Sequence, residues 1–251
     1  MQLNGQIVLV AGGASGLGAA VARHCAERGA KVSILDIDDA GRALAEELGG
    51  LFVRTDITRV TEVNSALDQV EAHFGIARIL VNCAGIAPHA LTLRREGPHD
   101  VELFRRVLEI NVLGTFIMSS RFAERLRRAE DADEERGIII NTGSIAGFEG
   151  QAGQVAYASS KAAVAGMTLP LARDLAPNAI RVMTIAPGVF DTPMLDGWPP
   201  ASRNEMGSQT PHPARLGRPE EFALLVESII ANPMMNGDVV RLDGGLRLGP
   251  H

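Results

Sequence analysis

Short apolar runs alternate along this chain with longer stretches in which apolar residues recur every three or four positions. Gln6–Ala11 (QIVLVA) is almost continuously apolar, as expected of a parallel strand covered on both faces. Helical spacing follows from about Leu17 to Arg28, with Gly29 as a stop signal. The same alternation predicts strands at Lys31–Leu35, Leu51–Arg54, Ile79–Asn82, Gly137–Thr142, Arg181–Ile185 and Val239–Leu242. Between them it predicts helices near Ala40–Leu48, Val60–Phe74, Val101–Arg128, Val155–Leu175 and Pro219–Ala231. A polar connection, Ala87–Asp100, and an irregular Pro-rich segment, Ala186–Pro219, interrupt the pattern. No linker or internal repeat divides the chain. The expectation is a single α/β domain over residues 1–251: a Rossmann-like, doubly wound parallel sheet flanked by helices on both faces.

Composition narrows the classes of function. The chain has 251 residues, 46% of them hydrophobic and 22% charged, with a net charge of −6, which disfavours a broad nucleic-acid surface. Cys25 and Cys83 have neither metal-ligand spacing nor a disulfide framework and read as buried, reduced thiols. No apolar run approaches the roughly 18 residues of a membrane span, and the N-terminus lacks a signal-peptide pattern, so a cytoplasmic location is expected. The six histidines form no close pair. The mixed charge run Arg125–Arg136 reads as a solvated helix end.

The turn after the first strand, Ala11-Gly12-Gly13-Ala14-Ser15-Gly16-Leu17-Gly18, follows G-x-x-x-G-x-G. Gly12 permits a tight turn, Gly16 lets backbone approach a pyrophosphate at a helix N-terminus, and Gly18 allows close helix packing. Asp36, at the end of the second strand, is placed to accept hydrogen bonds from a ribose, and its charge would repel a 2′-phosphate. With Ile37 beside it, no neighbouring cation offsets that charge, so NAD is favoured over NADP.

Tyr157, the only tyrosine, is followed by Lys161 one helical turn later. A neighbouring ammonium stabilises a phenolate and lowers a pKa normally near 10, which would let the phenol exchange protons with a substrate alcohol. Ser144, just beyond the strand ending Asn141-Thr142, is placed to hydrogen-bond the substrate oxygen. No G-x-S-x-G or H-E-x-x-H pattern offers hydrolase or zinc chemistry instead.

These motifs resemble the short-chain dehydrogenase/reductase family over nearly the whole chain. The resemblance implies an NAD-dependent enzyme that interconverts a secondary alcohol and a ketone, with Asn111, Ser144, Tyr157 and Lys161 as its catalytic set. It implies cofactor contacts at Gly12, Gly16, Gly18, Asp36, Asp56, Ile57, Asn82, Cys83, Ala84, Gly85, Tyr157, Lys161, Pro187, Gly188 and Thr192. In Asn82-Cys83-Ala84-Gly85 a cysteine stands where the family usually has a second asparagine, and Ala11 replaces a usual threonine. Stretches such as Phe148–Gly153 (FEGQAG) and Asn236–Gly244 (NGDVVRLDG) resemble the type 2 3-hydroxyacyl-CoA dehydrogenase branch of the family. That branch implies Ser15, Leu17 and Phe190 as further cofactor contacts and Gln154, with Ser144 and Tyr157, as a substrate contact. It also implies an acyl-CoA substrate and a homotetramer, while the net charge and the short apolar runs argue against nucleic-acid and membrane partners. The Pro-rich stretch 190–213, which includes Trp198, is expected to be a substrate lid, and Arg94 and Arg95 are candidates for CoA phosphates. A hydroxysteroid or other secondary-alcohol dehydrogenase, and an NAD-binding scaffold without chemistry, remain as alternatives.

Overall fold

The first apolar run forms β1 (Ile7–Ala11), whose side chains alternate between two cores. Val8 and Val10 join Val21, Ile34 and Ile229 on one face, while Leu9 and Ala11 join Val63, Leu80 and Met118 on the other. That double burial is why the run is apolar throughout rather than alternating. The computed structural model describes residues 1–95, 97–129, 135–197 and 199–250. Beside β1 lie β2 (Lys31–Asp36), β3 (Leu51–Arg54), β4 (Ile79–Asn82), β5 (Gly137–Thr142), β6 (Ile180–Pro187) and β7 (Val239–Leu242). They form one sheet in the order β3-β2-β1-β4-β5-β6-β7, with every pairing parallel.

Helices α1 (Gly16–Glu27) and α2 (Ala40–Glu47) cover one face, and α3 (Val60–Phe74) covers the other. The chain returns to the sheet through α4 (Val101–Leu108), α5 (Thr115–Leu126), α6 (Val155–Leu175), α7 (Pro200–Ser208) and α8 (Pro219–Ala231). The strand order runs outward from β1 in both directions. This opens a crevice beyond the carboxyl ends of β1 and β4, where ligands bind in open α/β sheets.

Three expectations need correction. The single helix expected over Val101–Arg128 is interrupted by a π-helical turn, Glu109–Gly114, between α4 and α5. There the Gly114 backbone packs against Ile57, where a Cβ would come within 2.6 Å of that side chain, and the bulge turns Asn111 inward. The Pro-rich stretch contains α7, whose sequence PASRNEMGS lacks an apolar period that could announce it. The charge run is only partly solvated. Arg125 and Arg128 pair with acidic residues of α3, but Glu135 and Arg181 form a buried pair, with side chains 12% and 7% exposed. Residues 130–134 of that run lie outside the described residues. Among the described residues, no helix is long and apolar enough to cross a membrane, and no cluster of three or more potential ligands could hold a metal.

Candidate active site

The crevice at the switch point is a cleft of about 1320 Å³, roomier than the 300–1,000 Å³ typical of a site for one small ligand. The glycine turn forms one end. Gly12 takes φ +74° and packs so closely on Cys83 and Ala84 that a Cβ would collide with the Ala84 amide. A Cβ on Gly18 would run into the Gly12 carbonyl, so this glycine packs α1 onto the turn itself. Gly16 (φ +52°) faces Thr192 across the cleft. Ser15 caps α1 through its backbone, with no capping bond from its side chain, and Leu17 lines the cleft while packing on the core. The turn is tied to β2 by Asp36, whose Oδ2 accepts from the Ala14 amide at 2.9 Å and whose Oδ1 accepts from the Asp38 amide at 3.1 Å.

Asp56 and Ile57 form the next stretch of wall. The Asp56 carboxylate accepts from the amide (2.9 Å) and hydroxyl (2.7 Å) of Thr58, which fixes the turn after β3, and Ile57 is largely buried. Cys83, Ala84 and Gly85 line the base of the cleft, with Pro187, Gly188, Phe190 and Thr192 opposite. Phe190 also belongs to the core, edge-on to Phe222 at 6.4 Å. Asn82 departs from expectation because it does not line the cleft. It sits at the end of β4, buried, and donates to Asn141 Oδ1 at 2.9 Å and Ser119 Oγ at 3.2 Å. Its place in the strand turns its side chain into the sheet–helix interior.

Ser144 follows β5 and caps a short 3-10 turn, its Oγ accepting from the Ala146 amide at 3.1 Å. Its hydroxyl lies near enough to the Tyr157 phenol to lower the pKa of that group. Both line the cleft, as does Gln154 at the start of α6. Tyr157 is half-buried in the wall of the cleft. Burial raises its pKa above the ordinary value and the Ser144 hydroxyl draws it back.

Lys161, one turn along α6, is buried behind the tyrosine. Its Nζ donates to the Thr142 carbonyl at 2.8 Å and lies 5.7 Å from the tyrosine ring centre. Burial lowers its pKa to about 8. The expectation that the neighbouring ammonium lowers the phenol's pKa is not met here: burial raises that pKa, the opposing influence is Ser144, and the amine is held by a backbone carbonyl. Asn111, fully buried in the π turn, does not line the cleft. It pairs twice with the Ile86 backbone (2.9 Å each way) and donates to Ser160 Oγ at 2.9 Å. It thereby ties the segment after β4 to α6. Cys83 lies close enough to Lys161 for their charges to interact, and burial pushes its thiol up to about 11.

Met194, Leu195 and Met206 line the cleft from within the stretch expected to be a substrate lid, whereas sequence reasoning missed His89, Arg105, Arg106 and Leu248. His89 follows the Asn82–Gly85 motif closely enough for its position to have flagged it. Leu248 carries no local signal at all. Arg94 and Arg95, in a two-stranded ribbon (Leu93–Arg94 with Gly97–Pro98), are exposed and do not line the cleft. In the Pro-rich stretch, Arg203 donates to the Leu195 carbonyl at 2.8 Å and to Asp196 at 3.0 Å, which fastens α7 to the residues just after Thr192. Trp198 lies outside the described residues.

A family model for short chain dehydrogenases matches residues 6–202. The chain belongs to the short-chain dehydrogenase family. It is 46% identical to 3-hydroxyacyl-CoA dehydrogenase type-2 of Homo sapiens, over 99% of this chain and 97% of that protein. It is also 46% identical to the protein of the same name in Drosophila melanogaster, over 97% and 98%. Its structure resembles the crystal structure of 3-hydroxyacyl-CoA dehydrogenase type-2 from Mycobacterium avium, with a TM-score of 0.93, 37% identity and coverage of 98% and 97%. This short-chain dehydrogenase is therefore an oxidoreductase acting on a small molecule with a nicotinamide cofactor. Its cleft fits such a cofactor: the glycine turn closes so tightly that side chains at positions 12 and 18 would fill it, the amino end of α1 faces the opening, and a carboxylate stands at the end of β2.

Proposed function

We propose that this enzyme uses NAD to interconvert 3-hydroxyacyl-CoA and 3-oxoacyl-CoA. The observation that carries the chemistry is the neighbouring Ser144 and Tyr157 side chains, which line the cleft whose far end is built from the glycine turn and Asp36. The choice of substrate rests on full-length similarity to enzymes named for that reaction. The choice of NAD rests on Asp36, which opposes a 2′-phosphate, and on the exposed, uncharged Ile37 beside it.

Within this reading, Gly12, Ser15, Gly16, Leu17 and Gly18 hold the pyrophosphate end. Asp36 holds the adenosine ribose, and Asp56, Ile57 and Ala84 flank the adenine. Cys83, Gly85, Pro187, Gly188, Phe190 and Thr192 enclose the nicotinamide end, and Lys161 serves its ribose. NAD supplies the hydride acceptor. Tyr157 takes the hydroxyl proton of the substrate in oxidation and returns it to the carbonyl oxygen in reduction. Ser144 donates to that oxygen as charge develops on it in a water-poor site. Gln154 borders the substrate. Asn111 acts by position, holding the wall after β4 against α6 rather than touching the reacting atoms. We also propose a homotetramer located in the cytoplasm. Exposed Leu113 and Phe116 offer apolar surface for subunit contact, and light scattering on the purified protein reads the assembly.

Apolar Met194, Leu195 and Met206 along the cleft suit a second class of secondary alcohol, the hydroxysteroids. Initial rates with 3-hydroxybutyryl-CoA and with a hydroxysteroid, each with NAD and with NADP, decide between them. The proposal expects the highest kcat/KM for the CoA ester with NAD. Preference for the steroid would overturn the substrate, and preference for NADP would overturn the role of Asp36.

A further inference from the structure

We propose that the C-terminal segment forms the wall of the substrate end of the cleft and that Leu248 sets the length of acyl chain the enzyme accepts. This inference rests on the proposed acyl-CoA reading and names the residue that would tune it. Leu248 lines the cleft although it lies six residues beyond the last strand of the sheet. Two backbone bonds place it there: the Leu248 amide donates to Glu149 Oε2 at 3.1 Å, and the Ala152 amide donates to the Pro250 carbonyl at 3.1 Å. Residues 149–152 lead directly into α6, and Gln151, Ala152 and Gln154 line the same rim. Leu248 is therefore held against the connection that leads into α6, the helix that carries Tyr157.

The segment is clamped from below. Glu149 receives Arg241 through both carboxylate oxygens, at 2.8 and 3.2 Å, and pairs with Arg247 at 3.4 Å. Arg241 in turn bonds Asp243 at 2.7 Å and the Leu246 carbonyl at 3.0 Å, while the Leu246 side chain is 2% exposed. Bidentate pairing of this kind fixes geometry as well as adding energy. The pairs hold the Glu149 carboxyl below the usual carboxylate range, the Arg241 hydrogen bond contributing most, so the clamp keeps its charge at neutral pH. An anchored Leu246 and a clamped Glu149 leave Leu248 as a fixed apolar surface against which the far end of an aliphatic chain would stop. A hydrophobic pocket discriminates one methylene by about 10- to 200-fold, which suffices for selection of chain length.

The test measures kcat/KM for 3-oxoacyl-CoA substrates of increasing length in wild type, Leu248→Trp and Leu248→Gly, with melting temperature as a check on folding. Leu248→Trp should lower kcat/KM for the longer chains at least tenfold relative to the shortest, and Leu248→Gly should shift the optimum toward longer chains. Glu149→Gln, a positioning variant, should raise KM for the longer substrates severalfold while leaving KM for NADH in place. Parallel changes at every chain length, or an equal rise in both KM values for Glu149→Gln, would overturn the proposal. The same variants are run on 2-alkanones graded in length. If wild type reduces those but no CoA ester, the acyl-CoA reading fails while the wall is still read, and unchanged length selectivity on the alkanones would overturn the wall itself.

Discussion

The two ends of the cleft are built by different means. At the glycine end, the wall is strand ends and helix starts, and the fit is steric: Gly12 and Gly18 leave no room for a Cβ, and the carboxylate of Asp36 is fixed by two backbone amides. At the substrate end, the wall is connections between elements. It is held by side chains reaching backbone, such as Arg203 to the Leu195 carbonyl and Glu149 to the Leu248 amide. Sheet geometry alone fixes the first end, whereas the second depends on a few ionic clamps that substitutions can loosen one at a time. One scaffold can thus keep its cofactor while its substrate changes.

The comparison breaks hardest where the ends meet. Tyr157→Phe should lower turnover about 10²- to 10⁴-fold, the usual worth of a general acid–base, with the Kd for NAD nearly unchanged, as read by initial rates and fluorescence titration. A comparable loss of NAD binding would show that the tyrosine belongs to the glycine end. Gly18→Ala tests that end by sterics. Overpacking costs roughly 1–3 kcal/mol, so we expect a lower melting temperature together with weaker NAD binding in calorimetry. Asp36→Ala removes hydrogen bonds to a charged group, worth about 1.5–3 kcal/mol, and should raise KM for NAD roughly ten- to hundredfold while KM for the alcohol stays put.

At the other end the effects are smaller. Arg203→Ala should raise KM for the substrate severalfold, with the Kd for NAD unchanged, because it unfastens α7 from the residues after Thr192. Lys161 sharpens the comparison through stability. Its folded pKa of about 8 lies below the ordinary 10.5, so above pH 8 the unfolded chain binds more protons at this site and the lysine's contribution to stability rises with pH. Denaturation of wild type and Lys161→Met at pH 8 and 9 should show the difference moving in favour of wild type by about 1 kcal/mol.

What the chain reveals before folding follows the same division. The strands and most helices were legible because a doubly covered sheet demands continuous apolar runs, and Leu51–Arg54, Val60–Phe74 and Val155–Leu175 have the bounds that periodicity predicts. Ser144 and Tyr157 stood out because their spacing survives in one dimension, and the structure places both in the wall of the cleft. The π turn around Asn111 was not legible, since its cause is a tertiary contact between Gly114 and Ile57. Nor was the inward turn of Asn82, which shares its motif with residues that do face the cleft. The electrostatics of Tyr157 and Lys161 depend on burial, which spacing along a helix does not report. Leu248 reaches the cleft only through partners about a hundred residues away.

The most direct test of the central claim, that Tyr157 exchanges the substrate proton, is a paired pH profile of oxidation and reduction in wild type and Tyr157→Phe. Burial holds the phenol above its usual pKa, so the proton-accepting form is scarce at neutral pH. Oxidation should climb as pH rises, while reduction should hold and then fall only at alkaline pH, and both dependences should vanish with the hydroxyl. Profiles that run in parallel for the two directions, or that persist unchanged in Tyr157→Phe, would contradict the account.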